Sequence, residues 1–374
     1  MNCDPGHLAE QAKAFKGLPR GVRQSLIPHL LCQIVNKGLT SGCDDLQVQY
    51  TGQWLGPMLW DLGCDLGIAG VQTNGSNQPS TPGGLWLKSS FVYNETGAPL
   101  GGLTTLSFPN LVGVSLGSLS PTTMPALTSL SYPALQYVDV NFSPTTMAFL
   151  TTLSATSLAY VGGALSPTTM ALLTTLSTPL LAYVGGLYSP NTMASLTSLS
   201  STSLAYVGGN FLPGRMALLT SLSFPSLAYV GGNFNPDTMA SLTSQLYPSL
   251  AYVGGAFGTT TMVGLTSFSA PALVYVGGAI NIAASANVVS VVIGTAGTTK
   301  KLPTSITLSN MKLDAASVNG MLAVLVSLDG TNGTTLWGAG CTLTINGGTN
   351  AAPSGQGIID KATLIARTAV VTTN

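Results

Sequence analysis

"LTSLSFPSLAYVGGNFNPDTMAS" occupies residues 219–241, and the chain on either side of it repeats the same pattern. Aligned on its methionine, the unit returns at Met124, Met147, Met170, Met193, Met216, Met239 and Met262, every 23 residues without slippage. Two leucine columns keep the interval, at Leu127, Leu150, Leu173, Leu196, Leu219, Leu242 and Leu265 and at Leu135, Leu158, Leu181, Leu204, Leu227, Leu250 and Leu273. The second is followed three residues later by Val138, Val161, Val184, Val207, Val230, Val253 and Val276. An earlier copy, "LTTLSFPNLVGV" at 103–114, joins the series with one extra residue and reads as a first coil. Self-similarity at a fixed period of this length means a solenoid, in which one repeat is one circuit and stacked neighbours complete a continuous core.

Inside the unit, Leu219, Leu222 and Phe224 predict a short strand facing inward, and Pro225, with no N–H to give to a ladder, ends it. Leu227 and Val230 return to the core. Gly231 and Gly232 are expected to turn a corner through positive φ, after which Phe234 and Met239 close the coil. The apolar positions follow neither a sustained helical stripe nor a long alternation. The expected fold is therefore a β-rich solenoid.

Charge is placed as unusually as the repeats. Twelve Lys plus Arg balance twelve Asp plus Glu in 374 residues, which leaves no net field for nucleic acid or an anionic membrane. Between Gly101 and Thr299 the only charged residues are Asp139, Arg215 and Asp237, so Ser, Thr, Asn and backbone must wet that surface. No apolar run approaches the ~18–20 residues that cross a bilayer. The N-terminal "MNCDPGHLAEQAKAFKGLPR" has neither an apolar core segment nor a small-residue cleavage site, and the expectation is a product made in the cytosol.

Chemistry-bearing patterns are sparse. Cys3, Cys32, Cys43, Cys64 and Cys341 are an odd set without a C-x-x-C pair, which fits free thiols, and His7 and His29 do not stand at zinc-finger spacing to them. The Gly-Gly pairs recur in every coil and lack the lysine or acid that would make a phosphate or dinucleotide loop. Asp61 and Asp65 lie four apart, but the glycines around them argue against one helical face. The sequons at Asn74, Asn94, Asn141 and Asn332 are expected by chance in so Ser/Thr-rich a chain. "SPTTM" does not set Thr at every second position of a flat strand, which argues against an ice-binding array. No enzyme, cofactor or metal site is expected. One column remains that could bind: Tyr137, Tyr160, Tyr183, Tyr206, Tyr229, Tyr252 and Tyr275, each beside an inward Val, should stack along one side. Such a ladder either shields the coil edge or offers an uncharged aromatic platform to glycan rings or a neighbouring subunit.

The consensus L-x-x-L-x-F-P-x-L-x-x-V-G-G-x-F resembles the leucine-rich repeats of the BspA-like class and of receptor L domains, over residues 101–280. It departs from them in placing Met where Cys or Asn commonly sits, and a plain parallel β-helix is the alternative. Three regions follow. Residues 1–90 form a helical or irregular assembly region, with Leu8, Ala12 and Phe15 on one apolar face, Val22, Leu26, Leu30 and Ile34 on another, and the linker-like "QTNGSNQPSTPGG" at 72–84. Residues 91–300 hold the repeat solenoid. Residues 301–374 form an α+β cap, in which Asp314 caps a helix carrying Val318, Met321, Leu322 and Leu325, "TLTI" makes a strand, and "IIDKATLIARTAVVTTN" makes a helix and then a strand.

The segment "AKAFKGLPRGVRQSLIPHLLCQIVNKG" at 12–38 and the C-terminal module resemble parts of bacteriophage tail and fibre proteins. That resemblance implies a structural virion protein, a tail, fibre or adhesin component that joins other virion subunits through its N-terminal region, forms a homo-oligomer and meets a host-surface glycan or protein. The repeat resemblance implies the alternative, a secreted or cell-surface binding protein of a bacterium.

Overall fold

A computed structural model describes residues 104–282 and 286–374, together with the strands Asp45–Gln49, Leu85–Leu87 and Ser90–Asn94. The N-terminal helical faces, the linker at 72–84, Cys3, Cys32, Cys43, Cys64, His7, His29, Asp61 and Asp65 lie outside the described residues. The chain is a β-solenoid of about nine parallel coils of about 23 residues. It divides into two compact units, Met1–Thr178 and Pro179–Asn374.

In the first unit the strands Thr105–Ser107, Ser129–Ser131, Thr152–Ser154 and Thr175–Ser177 stack in parallel, Leu106 against Leu130 and Leu130 against Leu153. A second ladder runs from Leu85–Leu87 through Leu111–Val114, Tyr137–Val138 and Tyr160–Val161. Single bridges Leu119↔Phe142 and Phe142↔Leu165 make a third. The second unit repeats the scheme with strands Ser198–Ser200, Ser221–Ser223, Ser244–Leu246, Ser267–Ala270 and Ser290–Ile293 in one sheet. Within each unit one coil thus bonds to the next along three lines, and no helix interrupts the described repeats.

The columns predicted from the repeat point inward. Leu127, Leu135, Val138, Phe142 and Met147 are fully buried in the first unit, as are Leu204, Val207, Phe211, Met216 and Leu219 in the second. The aromatic column stacks as well, with ring centroids of Phe211 and Phe234 5.1 Å apart. Burial on this scale supplies the apolar free energy, and the parallel ladders satisfy the backbone that the coils enclose.

The corner glycines do something other than expected. None of Gly162, Gly163, Gly208, Gly209, Gly231 or Gly232 has a positive φ. They are required because the coils come too close together there: a Cβ on Gly208 would sit on the carbonyl oxygen of Gly185 in the coil before it, and one on Gly162 on that of Asp139. The left-handed residue falls elsewhere in the circuit, at the position before each methionine. Thr123, Thr146 and Thr169 in one unit, and Thr192, Arg215, Thr238 and Thr261 in the other, have φ between 48° and 60°.

The hydroxyl-rich surface is bonded between coils. Thr151 Oγ1 donates to the Thr128 carbonyl at 2.9 Å, Thr220 to Thr197 at 3.2 Å and Thr266 to Thr243 at 2.9 Å. A short asparagine ladder adds to this: the Asn210 side-chain oxygen accepts from Asn233 N–H at 2.8 Å, Asn233 from Ala256 at 2.8 Å, and Asn141 from Ala164 at 2.7 Å. The repeat consensus did not announce it, because Asn alternates there with Ala and Leu.

At the C-terminal end the third ladder becomes a regular sheet, with parallel strands Phe257–Thr259, Ile280–Ile282, Ser305–Thr307, Thr342–Ile345 and Val370–Thr373. Two helices are inserted between its last strands, α1 (Ala315–Ser327) and α2 (Gln356–Ala366). Asp314 caps α1 by accepting the Ser317 N–H at 2.7 Å, and Val318, Met321, Leu322 and Leu325 are buried. Cys341 is a buried free thiol. Among the described residues no helix is long and apolar enough to cross a membrane.

Candidate functional site

Each ladder tyrosine is the first residue of a two-residue strand whose second residue is a buried Val. A strand sends successive side chains to opposite faces, so burying the Val turns the Tyr outward. Tyr137, Tyr160, Tyr183, Tyr206, Tyr229, Tyr252 and Tyr275 are all half-buried. The rings of Tyr160, Tyr206, Tyr229, Tyr252 and Tyr275 lie over the glycine two residues on, and a Cβ at Gly208 would also come within 3.3 Å of the Tyr206 ring. The Gly-Gly corner therefore serves twice, as the close approach between coils and as the shelf for the ring.

The strands pair Tyr to Tyr in register. In the first unit the rings of Tyr137 and Tyr160 stack at 4.8 Å between centroids and 7° between planes. In the second unit Tyr183, Tyr206, Tyr229, Tyr252 and Tyr275 form one continuous stack, with 4.7–4.8 Å between centroids and 0–7° between planes. Inside that stack, Tyr206, Tyr229 and Tyr252 have a tyrosine against each face. What they offer to solvent is a ring edge and a phenol hydroxyl.

Among the described residues, Asp139 meets the ladder at Tyr137 and Lys301 meets it at Tyr275. Tyr137 O–H donates to Asp139 Oδ1 at 2.7 Å, and Asp139 Oδ2 accepts the N–H of Leu116 at 3.0 Å. The hydrogen bond to Asp139 is the largest cause of a Tyr137 pKa pushed up to about 12, because the proton is shared with a carboxylate that would repel the phenolate. In the second unit Lys301 pairs with Tyr275, sets its ammonium 5.0 Å from the ring centroid and lies 3.4 Å from the phenol oxygen. It closes that stack with a cation–π contact.

A second ordered surface lies on the Ser-Leu-Ser strands. With the central Leu buried, hydroxyls at alternate positions face out at Ser129 and Ser131 and at Thr152 and Ser154, and in the other unit at Ser198 and Ser200 and at Ser221 and Ser223. Leu246 breaks the row and is 56% exposed. The regular hydroxyls thus come from the inward-strand segment and not from "SPTTM". Among the described residues no group of three His, Cys, Asp or Glu side chains is gathered to hold a metal ion.

The fold and its surfaces define a repeat solenoid with neutral hydroxyl and phenol faces. Comparison of the chain with protein families, with characterised proteins and with solved structures finds no match.

Proposed function

We propose that the chain is a structural and recognition protein of a bacteriophage particle, a tail, fibre or adhesin component whose solenoid presents the tyrosine ladder to a neutral glycan on the host surface. Residues 1–90 would join it to other virion subunits and to further copies of itself. No catalytic step is assigned to it. The observation that carries the reading is the ladder in its setting: half-buried tyrosines in register, on repeats almost without charge. A surface without charge suits a neutral, hydroxyl-rich partner, because no ion has to be desolvated on contact. The ring faces are taken by neighbouring rings, so the glycan would meet phenol edges and hydroxyls. The resemblances of the segment at 12–38 and of the C-terminal module support the phage setting. The BspA-like consensus supports the second reading, a secreted or cell-surface bacterial binding protein with the same face.

The test uses an array of bacterial surface polysaccharides and three triple variants of the full chain. Tyr206, Tyr229 and Tyr252 are changed to Ala in one and to Phe in another, and Thr197, Thr220 and Thr243 to Ala in the third. The Tyr-to-Ala chain should lose binding at least about tenfold, the Phe chain a smaller part through lost hydroxyls, and the Thr chain little. Equal losses in the Tyr and Thr variants would sink the ladder as the contact surface. Immunogold labelling of phage particles against labelling of bacterial envelopes separates the two settings.

A further inference from the structure

The asparagines of the inter-coil ladder use only one end of the side chain. Asn210 Oδ1 accepts the Asn233 N–H and Asn233 Oδ1 accepts the Ala256 N–H, each at 2.8 Å. Those bonds fix both carboxamides and settle which end is oxygen. The other end, Nδ2, has no hydrogen-bond partner among the described residues in either side chain. Asn233 is exposed and Asn210 half-buried, so each holds two N–H donors ready at the surface.

The corner glycines place these donors beside the tyrosine ladder. A Cβ on Gly231 would come within 3.4 Å of the Tyr229 ring, and one on Gly232 would fall on Asn210 Oδ1. One coil on, Gly254 stands in the same relation to the Tyr252 ring, at 3.5 Å, and Gly255 to Asn233 Oδ1. Ring and carboxamide thus rest on consecutive glycines, whose Cα atoms are about 3.8 Å apart. The two pairs follow each other at the interval of one coil, with the Tyr229 and Tyr252 rings 4.7 Å apart. In this unit the row stops at Leu187 on one side and Ala256 on the other. The first unit has the same pairing at Tyr160 and Asn141, over Gly162 and Gly163.

We propose that Tyr229 with Asn210 and Tyr252 with Asn233 form a two-step site for adjacent hydroxyls of a neutral glycan, whose chain runs along the stack of coils with one sugar residue to one coil. The proposal rests on the glycan reading of the tyrosine ladder and adds to it the residues that select the sugar and the direction of the chain. A phenol hydroxyl both donates and accepts, whereas a carboxamide Nδ2 only donates. Side by side they match two vicinal sugar hydroxyls: one oxygen accepts from the amide while its neighbour exchanges a hydrogen bond with the phenol. The coil pitch of about 4.8 Å is close to the length of one pyranose residue in an extended polysaccharide. The same hydroxyl pair therefore meets the same donors in the next coil. Because Oδ1 is already tied to the backbone, the amides need little further ordering when the glycan arrives.

Isothermal titration calorimetry of the full chain with the neutral bacterial polysaccharides of the array tests it. Asn210→Asp and Asn233→Asp keep Oδ1 as the acceptor for the next coil and remove only the donor, so circular-dichroism melts should match the parent's while each variant binds about tenfold more weakly. Ala256→Asn lays an amide over Gly278, beside the Tyr275 ring at Gly277, and carries the site into a third coil, so binding should tighten several-fold. Polysaccharide whose vicinal diols have been cleaved with periodate and reduced with borohydride should bind the parent no better than it binds the Asn233→Asp chain. Asn→Asp chains that bind as the parent does, an Ala256→Asn chain that binds no tighter, or cleaved polymer that binds the parent as the intact one does would each overturn the proposal. The ladder reading then stands without it if the Tyr-to-Ala triple variant still loses binding. A parent that binds no neutral polysaccharide, or a Tyr-to-Ala chain that binds normally, removes both.

Discussion

Gln245 occupies a place that its neighbours in the column fill with apolar groups, Leu222 before it and Phe268 after it. It is only 1% exposed. Its Nε2 reaches the thioether of Met262 at 3.0 Å, a weak acceptor, and its Oε1 has no hydrogen-bond partner. A buried carbonyl left unsatisfied costs about 1–3 kcal/mol, and ordering a glutamine side chain costs more rotamer entropy than ordering a leucine. Gln245→Leu is close to volume-conserving and restores the Leu column, so it should stabilise the protein by about 2–3 kcal/mol. Urea unfolding followed by circular dichroism should show the midpoint moving up at unchanged slope, and hydrogen exchange over residues 219–268 should slow. Ser244→Ala, exposed on the same strand, should stay within about 0.5 kcal/mol. A Gln245→Leu chain no more stable than the parent would refute the reasoning, and would mean that buried water already satisfies the amide.

Three other perturbations probe different parts of the coil. Gly208→Ala should destabilise by about 3 kcal/mol or more in the same urea assay, since its Cβ meets backbone, whereas Gly320→Ala in α1, with nothing within 4 Å, should stabilise by about 1 kcal/mol. Thr238→Asn should raise stability by about 0.5–1 kcal/mol, because asparagine tolerates the φ of +50° better than a β-branched residue. If calorimetry finds the melting temperature lowered instead, that angle is not a source of strain. Asp139→Asn should bring the Tyr137 phenol down from about 12 towards its ordinary 10, read as phenolate absorbance on raising pH. Because the folded value lies above the unfolded one, the stability Tyr137 adds is complete below pH 10 and fades between about 10 and about 12 in the parent. The Asp139→Asn chain should lose that alkaline decline, and an unchanged decline would remove Asp139 as its cause.

Much of the molecule was legible because its repeats leave little choice. Leu204, Val207, Phe211 and Met216 recur at one interval, and a residue that recurs at the same point of every circuit must face either the core in all coils or solvent in all. The tyrosine ladder followed from the same logic, since burying each Val turns each preceding Tyr outward. The cap of α1 was legible for a local reason, the acceptor at Asp314 placed three residues before the Ser317 N–H.

What the sequence left undecided depends on distances between coils. Glycine has two uses, freedom in φ and the absence of a Cβ, and only the approach of Gly208 to the Gly185 carbonyl shows that the second governs the corner. The left-handed turn passed to threonine, a residue from which local preference would not predict it, because the ladder on each side holds the backbone there. The tertiary structure also decided which face of the tyrosines remains available: parallel rings 4.7 Å apart cover one another and leave their edges to solvent. The outward isoleucines of α2 belong to the same class. Their spacing in sequence is that of a buried helix face, and only the packing of Leu364 and Asp360 against the protein shows that these isoleucines are exposed among the described residues. Periodicity fixes which residues share a side; the direction of that side is set by what the neighbouring coil leaves room for.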